Sequence, residues 1–172
     1  SLGGVVVHNS VRVGGNKIDE AIVTFVRKKY GLIIGEHQSE AIKVEIGNAI
    51  LSSEKDIKRM EIRGRDATSG MPRTISINSL EITEAIAEPL KKIMSAVKTV
   101  LEQTPPELAS DIIDKGIVMS GGSSQLYNLD KLMTQETGVP CHIAENPLLS
   151  VVLGTGMALE NLDLYKRSVS KR

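Results

Sequence analysis

Apolar positions along this chain follow two periods and switch between them. Val5, Val7, Val11 and Val13 share one parity against His8, Ser10 and Arg12, which predicts a strand over residues 5–13. Gly14-Gly15 breaks it, and Asn16 is placed to cap a helix with Asp19 and Glu20 in its first turn. Ile18, Ala21, Ile22, Phe25 and Val26 then recur at helical spacing until Gly31. A second helix is predicted after Gly35, with Ser39 as a cap, Ile42 and Ile46 inward, and Gly47 as its stop. Residues 57–63 and 74–78 read as two strands joined by a long polar loop, 64–73. Asn78 with Glu81 forms a capping-box pattern ahead of a sustained apolar stripe from Ile82 to Leu101. Pro89 lies inside that stripe and predicts a kink or a break.

Beyond Pro105-Pro106 the pattern alternates again. It predicts a short helix to about Ile113, a strand at 117–119, a loop at 121–124 and a helix over 126–137. A strand at 141–144 follows, then a last helix from Asn146-Pro147 to about Leu164 and a basic tail at 168–172. Strands alternating with helices indicate an α/β fold. The start, Ser1-Leu-Gly-Gly, has no Met and opens on a turn. A strand is expected ahead of such a turn, so the chain reads as a fragment.

Composition narrows the function. The chain has 172 residues, with 21 Lys+Arg against 21 Asp+Glu, so its neutrality argues against non-specific nucleic-acid binding. Aromatics at 2% argue against a base-stacking platform. One Cys excludes a disulfide framework or a multi-Cys zinc site and suggests a reducing compartment. No apolar run reaches the roughly 18 residues that a membrane span needs.

The strongest local signal is Gly116-Ile-Val-Met-Ser-Gly-Gly-Ser-Ser. A short apolar strand delivers glycines and hydroxyls, whose free N–H groups can face a phosphate or a purine ring. The segment is neither a P-loop nor G-x-G-x-x-G, and it equally fits an ordinary strand-to-helix turn. Glu40 and Lys43, three apart, share a helix face and could grip a ribose, or form a solvated ion pair. His8, His37 and His142 are scattered without metal-ligand spacing, and Cys141 lacks a basic neighbour. Arg63-Gly-Arg-Asp reads as a solvated loop, and four C-terminal basic residues give only weak lipid anchoring. No arrangement commits to nucleophilic or acid–base catalysis.

Longer segments carry a family resemblance. They are Ser1-Leu-Gly-Gly-Val-Val-Val, Arg12-Val-Gly-Gly-Asn-Lys-Ile-Asp-Glu-Ala-Ile, Ile42-Lys-Val-Glu-Ile-Gly-Asn, Gly70-Met-Pro-Arg, Leu101-Glu-Gln-Thr-Pro-Pro-Glu-Leu-Ala-Ser-Asp-Ile, Met119-Ser-Gly-Gly-Ser-Ser-Gln-Leu and Gly154-Thr-Gly-Met-Ala-Leu-Glu. In order and over nearly the whole chain, they resemble the C-terminal half of the MreB/Mbl family of bacterial actin homologues, which form filaments that determine cell shape. The resemblance implies an actin-like ATPase fold, with a ribonuclease-H-like core subdomain at residues 1–15 and 80–148. A smaller inserted α/β subdomain would occupy 16–79, and residues 149–172 would pack on a first lobe. It implies ATP contacts by Gly121, Gly122, Ser123, Ser124, Glu40 and Lys43, the last two at the ribose. Ser123-Ser124 depart from the third glycine and small residue of many members.

The family's phosphate loops, its Mg2+ environment, its catalytic acid and its membrane-binding segments would lie upstream of Ser1. The resemblance therefore implies no catalytic or metal-ligating residue in this chain, and neither robust ATP hydrolysis nor membrane binding by it alone. For the parent it implies a cytoplasmic place at the inner face of the membrane. Its partners would be copies of itself and the cell-wall elongation machinery, not nucleic acid. The alternative is the nucleotide-binding half of another actin-fold ATPase, a chaperone or a small-molecule kinase.

Overall fold

A computed structural model describes residues 4–53 and 57–162. Its first helix, α1 (Gly15–Tyr30), begins one residue before Asn16, with Gly14 as its N-cap and no side-chain cap. Asn16 is thus inside the helix, and Asp19 and Glu20 lie beyond its first turn. Ile18, Ile22 and Val26 are buried, and Gly31 stops the helix in the left-handed conformation at φ 62°. Next comes β1 (Leu32–Ile33), a two-residue strand too short to register as a pattern.

In α2 (Glu36–Ile46), Gly35 is the N-cap, Ile42 and Ile46 are buried, and Gly47 ends the helix. Ser39 does not cap. It is fully buried within α2, and its hydroxyl donates to the Glu36 carbonyl at 2.8 Å.

The antiparallel hairpin of β2 (Arg59–Asp66) and β3 (Pro72–Asn78) is longer than its hydrophobic pattern, with the order β1-β2-β3 in the sheet. The polar residues 64–66 and 72–73 continue the ladder, with Gly64 opposite Arg73 and Arg65 opposite Pro72. Polar side chains suit a hairpin end that faces water on both sides, so alternation fades there while backbone pairing persists. Asp66 closes the turn: its carboxylate accepts from the Thr68 and Ser69 N–H groups and from Arg73. Those bonds, Ser69 foremost and then Arg73, pull its pKa down to about 2.

Helix α3 (Ser79–Gln103) runs 25 residues without a break at Pro89. A proline inside a helix costs about 3 kcal/mol, through its missing N–H and the clash of its ring with the carbonyl four residues back. Pro89 is itself buried, and the stripe of Ile82, Ile86, Leu90 and Met94 buries enough apolar surface to offset that loss. The predicted capping box is present: Asn78 accepts from the Glu81 N–H at 3.1 Å, and Glu81 accepts from the Asn78 N–H at 2.9 Å. Glu81 also receives the Tyr30 hydroxyl and pairs with Lys29 at 2.8 Å, which ties the end of α1 to the start of α3. Burial pushes the Glu81 carboxyl up, but bonds from Lys29, Tyr30 and the Asn78 backbone outweigh it and leave it below its ordinary value. Burial, then the Glu81 hydrogen bond, raises Tyr30 to about 12.

After α4 (Pro106–Lys115), β4 (Ile117–Met119) pairs in parallel with β5 (Cys141–Ile143). Between them lie a 3-10 turn, Gly122–Gln125, and α5 (Leu129–Thr137), which starts three residues later than its apolar pattern. Asn128 causes the delay, because it sits in the left-handed conformation at φ 58°. The last helix, α6 (Ser150–Glu160), also starts late, after a turn at Asn146-Pro147.

The predicted strand at 5–13 is absent. Val5 and Val6 are 79% and 55% exposed, and no described strand lies alongside to complete a ladder. Alternation alone does not hold an unpaired strand in water. Gly3 of the expected Gly3-Gly4 turn, the end of the last helix near Leu164 and the basic tail lie outside the described residues.

Candidate functional site

The start of α1, the outer face of α2 and the 3-10 turn converge on one cavity of about 470 Å³. Glu40 and Lys43 come from α2, Gly122 and Ser123 from the turn, and Gly15 and Asn16 from α1. Residues separated by about 80 positions in sequence thus face the same space. The volume falls within the roughly 300–1,000 Å³ typical of small-molecule sites.

Backbone conformation shapes the turn. Gly121 has φ 86° and ψ 166°, a region essentially confined to glycine. Its N–H donates to the Pro147 carbonyl at 2.7 Å. Its carbonyl accepts from the Ser124 hydroxyl at 2.7 Å and the Ser124 N–H at 3.2 Å. Gly121 and Ser124 do not line the cavity; Ser124 is 5% exposed and holds the turn closed from within. Gly122 and Ser123 are thereby presented outward. Leu148 closes the cavity beside Gly122, where an added Cβ would come within 3.4 Å of its Cδ2.

The polar groups differ in their freedom. Among the described residues, the side chains of Asn16, Glu40, Ser123 and Gln125 make no hydrogen bond or ion pair, so all four are open to a ligand. Lys43 is paired instead, its Nζ donating to Asp19 Oδ2 at 2.8 Å. The Glu40–Lys43 ion pair allowed by their spacing is therefore not formed. Such a set suits a polyhydroxylated, anionic ligand. A carboxylate accepts from hydroxyls, an ammonium and a serine hydroxyl donate, and Gly122 lets a flat ring approach the backbone. No described group of three or more His, Cys, Asp or Glu is placed to hold a metal ion.

Sequence reading missed Gly15 and Asn16 as parts of this wall, and Asp19 as the partner that holds Lys43 from behind it. Asp19 read as a dipole partner of its own helix. Its true partner is 24 positions away, beyond any helical spacing. A second tertiary link was equally silent. Asn128 donates through Nδ2 to Asn48 Oδ1 and to the Ile50 carbonyl, both at 3.1 Å. The Ala49 N–H donates to the Tyr127 carbonyl at 2.8 Å, so the segment after the 3-10 turn is clamped to the end of α2.

A small sheet-and-helix unit set against a glycine turn, with a cavity between them, has the architecture of the actin-like ATPase class, of which this chain carries a part. Solved structures agree. An MreB5 of Spiroplasma citri bound to ADP superposes with a TM-score of 0.89 at 35% identity, over 94% of this chain and 49% of that one. A MamK double helical filament shares the fold at a TM-score of 0.67 and 17% identity, over 84% of this chain and 44% of that one.

Residues 1–167 match the family described as MreB/Mbl protein, and the chain belongs to that family. It is 51% identical over 165 residues to the cell shape-determining protein MreB of Escherichia coli K12, covering 96% of this chain and 47% of the relative. It is 45% identical over 170 residues to the cell shape-determining protein Mbl of Bacillus cereus, covering 98% and 50%. The chain thus spans about half the length of these relatives. Membership favours the filament-family reading over the chaperone or kinase alternative.

Proposed function

We propose that the chain carries the adenosine-facing part of an ATP site in a filament-forming protein that maintains cell shape by organising cell-wall synthesis. The observation that carries this is the convergence of Glu40, Lys43, Gly122 and Ser123 on one cavity in a member of the MreB/Mbl family. The relation to MreB5 bound to ADP and to AMPPNP supports an adenine nucleotide as the occupant. Glu40 would accept from the ribose hydroxyls and Lys43 would donate to the ribose. Gly122 and Ser123 would lie against adenosine and phosphate, while Gly121 and Ser124 shape the turn that presents them.

In this reading residues 1–15 and 80–148 form the core subdomain of one lobe, residues 16–79 the smaller subdomain, and residues 149–172 the closing segment. The groups that engage the γ-phosphate and Mg2+ belong to the other lobe. Partners of the whole protein are copies of itself and the wall-elongation machinery, at the cytoplasmic face of the membrane. No described helix is long and apolar enough to cross a membrane. Thermal unfolding of the full-length protein with and without ADP tests the site. A ligand at a hundred times its Kd adds about 2.7 kcal/mol of stability. The gain should be present in the wild type and largely lost in Glu40→Ala and Lys43→Ala. An unchanged transition in the wild type would overturn the assignment.

A further inference from the structure

Lys43 reaches the cavity already held. Its Nζ and the Asp19 carboxylate meet at 2.8 Å, with side chains only 18% and 17% exposed. A pair this well covered is screened by water and salt far less than a surface pair. Asp19 Oδ1 is buried without a hydrogen-bond partner. The carboxylate therefore has Lys43 as its one side-chain partner among the described residues, through Oδ2.

The position of Lys43 is equally telling. It lines the 470 Å³ cavity and also a second one of about 620 Å³ between α1 and α2, while Asp19 lines only the second. The ammonium stands at the partition, with its anchor on the far side from Ser123. A Cβ added at Gly15 would lie 3.4 Å from Lys43 Nζ and 3.6 Å from Ser123 Oγ, so both groups border the same point of the wall. A lysine on its flexible four-carbon stem does not stay at such a point unaided, and ordering it on binding costs affinity.

We propose that Asp19 is a positioning residue for the nucleotide site. It takes one of the three ammonium hydrogens of Lys43 and fixes Nζ at the partition. Two donors remain for the oxygen atoms of the ribose–phosphate part of an adenosine nucleotide. Asp19 itself does not touch the ligand. The inference rests on the nucleotide reading above, and the test separates the two.

ADP is titrated into the isotope-labelled full-length protein, and binding is followed by the amide signals of Gly122 and Ser123. The measurement is repeated in a cycle of Asp19→Asn and Lys43→Met. Asp19→Asn should weaken ADP roughly tenfold when Lys43 is present, as expected for a hydrogen bond to a charged group. In the Lys43→Met background the same change should have almost no effect. Asp19→Glu, which keeps the carboxylate, should recover most of the loss. Asp19→Ser repeats the cycle if Asp19→Asn does not fold. An equal loss in both backgrounds, or no loss in either while the wild type binds ADP, overturns the positioning role alone. Failure of the wild type to bind ADP overturns the nucleotide reading beneath it.

Discussion

At the residue scale, hydrogen bonds decide which charges matter. Asp66 is partly covered at the hairpin turn, and four donors from three residues hold its carboxylate ionised down to about pH 2. A carboxyl whose folded pKa lies below its unfolded value of 3.8 contributes stability above pH 3.8, lost as pH falls toward 2. Melting temperatures between pH 4 and pH 2 should therefore fall less steeply in Asp66→Ala than in the wild type. Equal slopes would mean that the turn contributes nothing through this group. Tyr30 works at the other limit. Its pKa is raised to about 12, so its contribution is complete below pH 10 and fades between pH 10 and 12. Tyr30→Phe should flatten the alkaline limb of the same profile.

At the element scale, the glycine turn is the part of the site that is built rather than merely placed. Gly121→Ala forces a side chain into a conformation that costs about 1–3 kcal/mol. It should lower the melting temperature by several degrees and weaken ADP together with stability. Ser123→Gly, beside it, should leave the fold intact. Gly64→Ala is a matched control away from the site: its Cβ would meet the Ile33 carbonyl at 2.5 Å and push β1 off the sheet. It should destabilise by about 1–3 kcal/mol without changing ADP affinity per folded molecule.

These elements also explain what was readable in the sequence. The capping box at Asn78 and Glu81, the Gly31 stop and the buried stripes of α1, α2 and α3 were legible because each depends on neighbours within one or two turns. The strand at 5–13 was misread because pairing needs a partner that local alternation cannot supply. Of the kink or break expected at Pro89, the break does not occur, because the helix buries its apolar stripe on both sides of the proline. Glu40, Lys43, Gly122 and Ser123 were legible as chemistry, chiefly through the family resemblance. Their meeting was not, and Asp19 was not, because both depend on how α1 folds against α2. The clamp between Asn48 and Asn128 was hidden for the same reason.

At the scale of the whole molecule, the last helix stands apart. No residue of α6 is buried, and Val151, Val152, Met157 and Leu159 are each more than 60% exposed. Together with Leu148 and Leu149 they form an apolar surface of the kind that soluble monomers rarely display. The isolated 172-residue chain should therefore associate, and its sedimentation coefficient should rise with protein concentration. A clean monomer at two well-separated concentrations would contradict that. The expectation that this chain alone does not turn over ATP belongs to the same scale, because phosphoryl transfer needs groups that position the γ-phosphate, metal and water. Phosphate release at the buffer rate is the expected result, and robust hydrolysis would refute it.

Whether Glu40, Lys43, Gly122 and Ser123 together hold an adenosine nucleotide is read most directly from the amide chemical shifts of the labelled full-length protein titrated with ADP. Saturable shifts centred on Gly15, Lys43, Gly122 and Ser123 are expected, with little change at the hairpin turn around Asp66. Shifts absent from those four residues, or centred on another surface, would contradict that assignment.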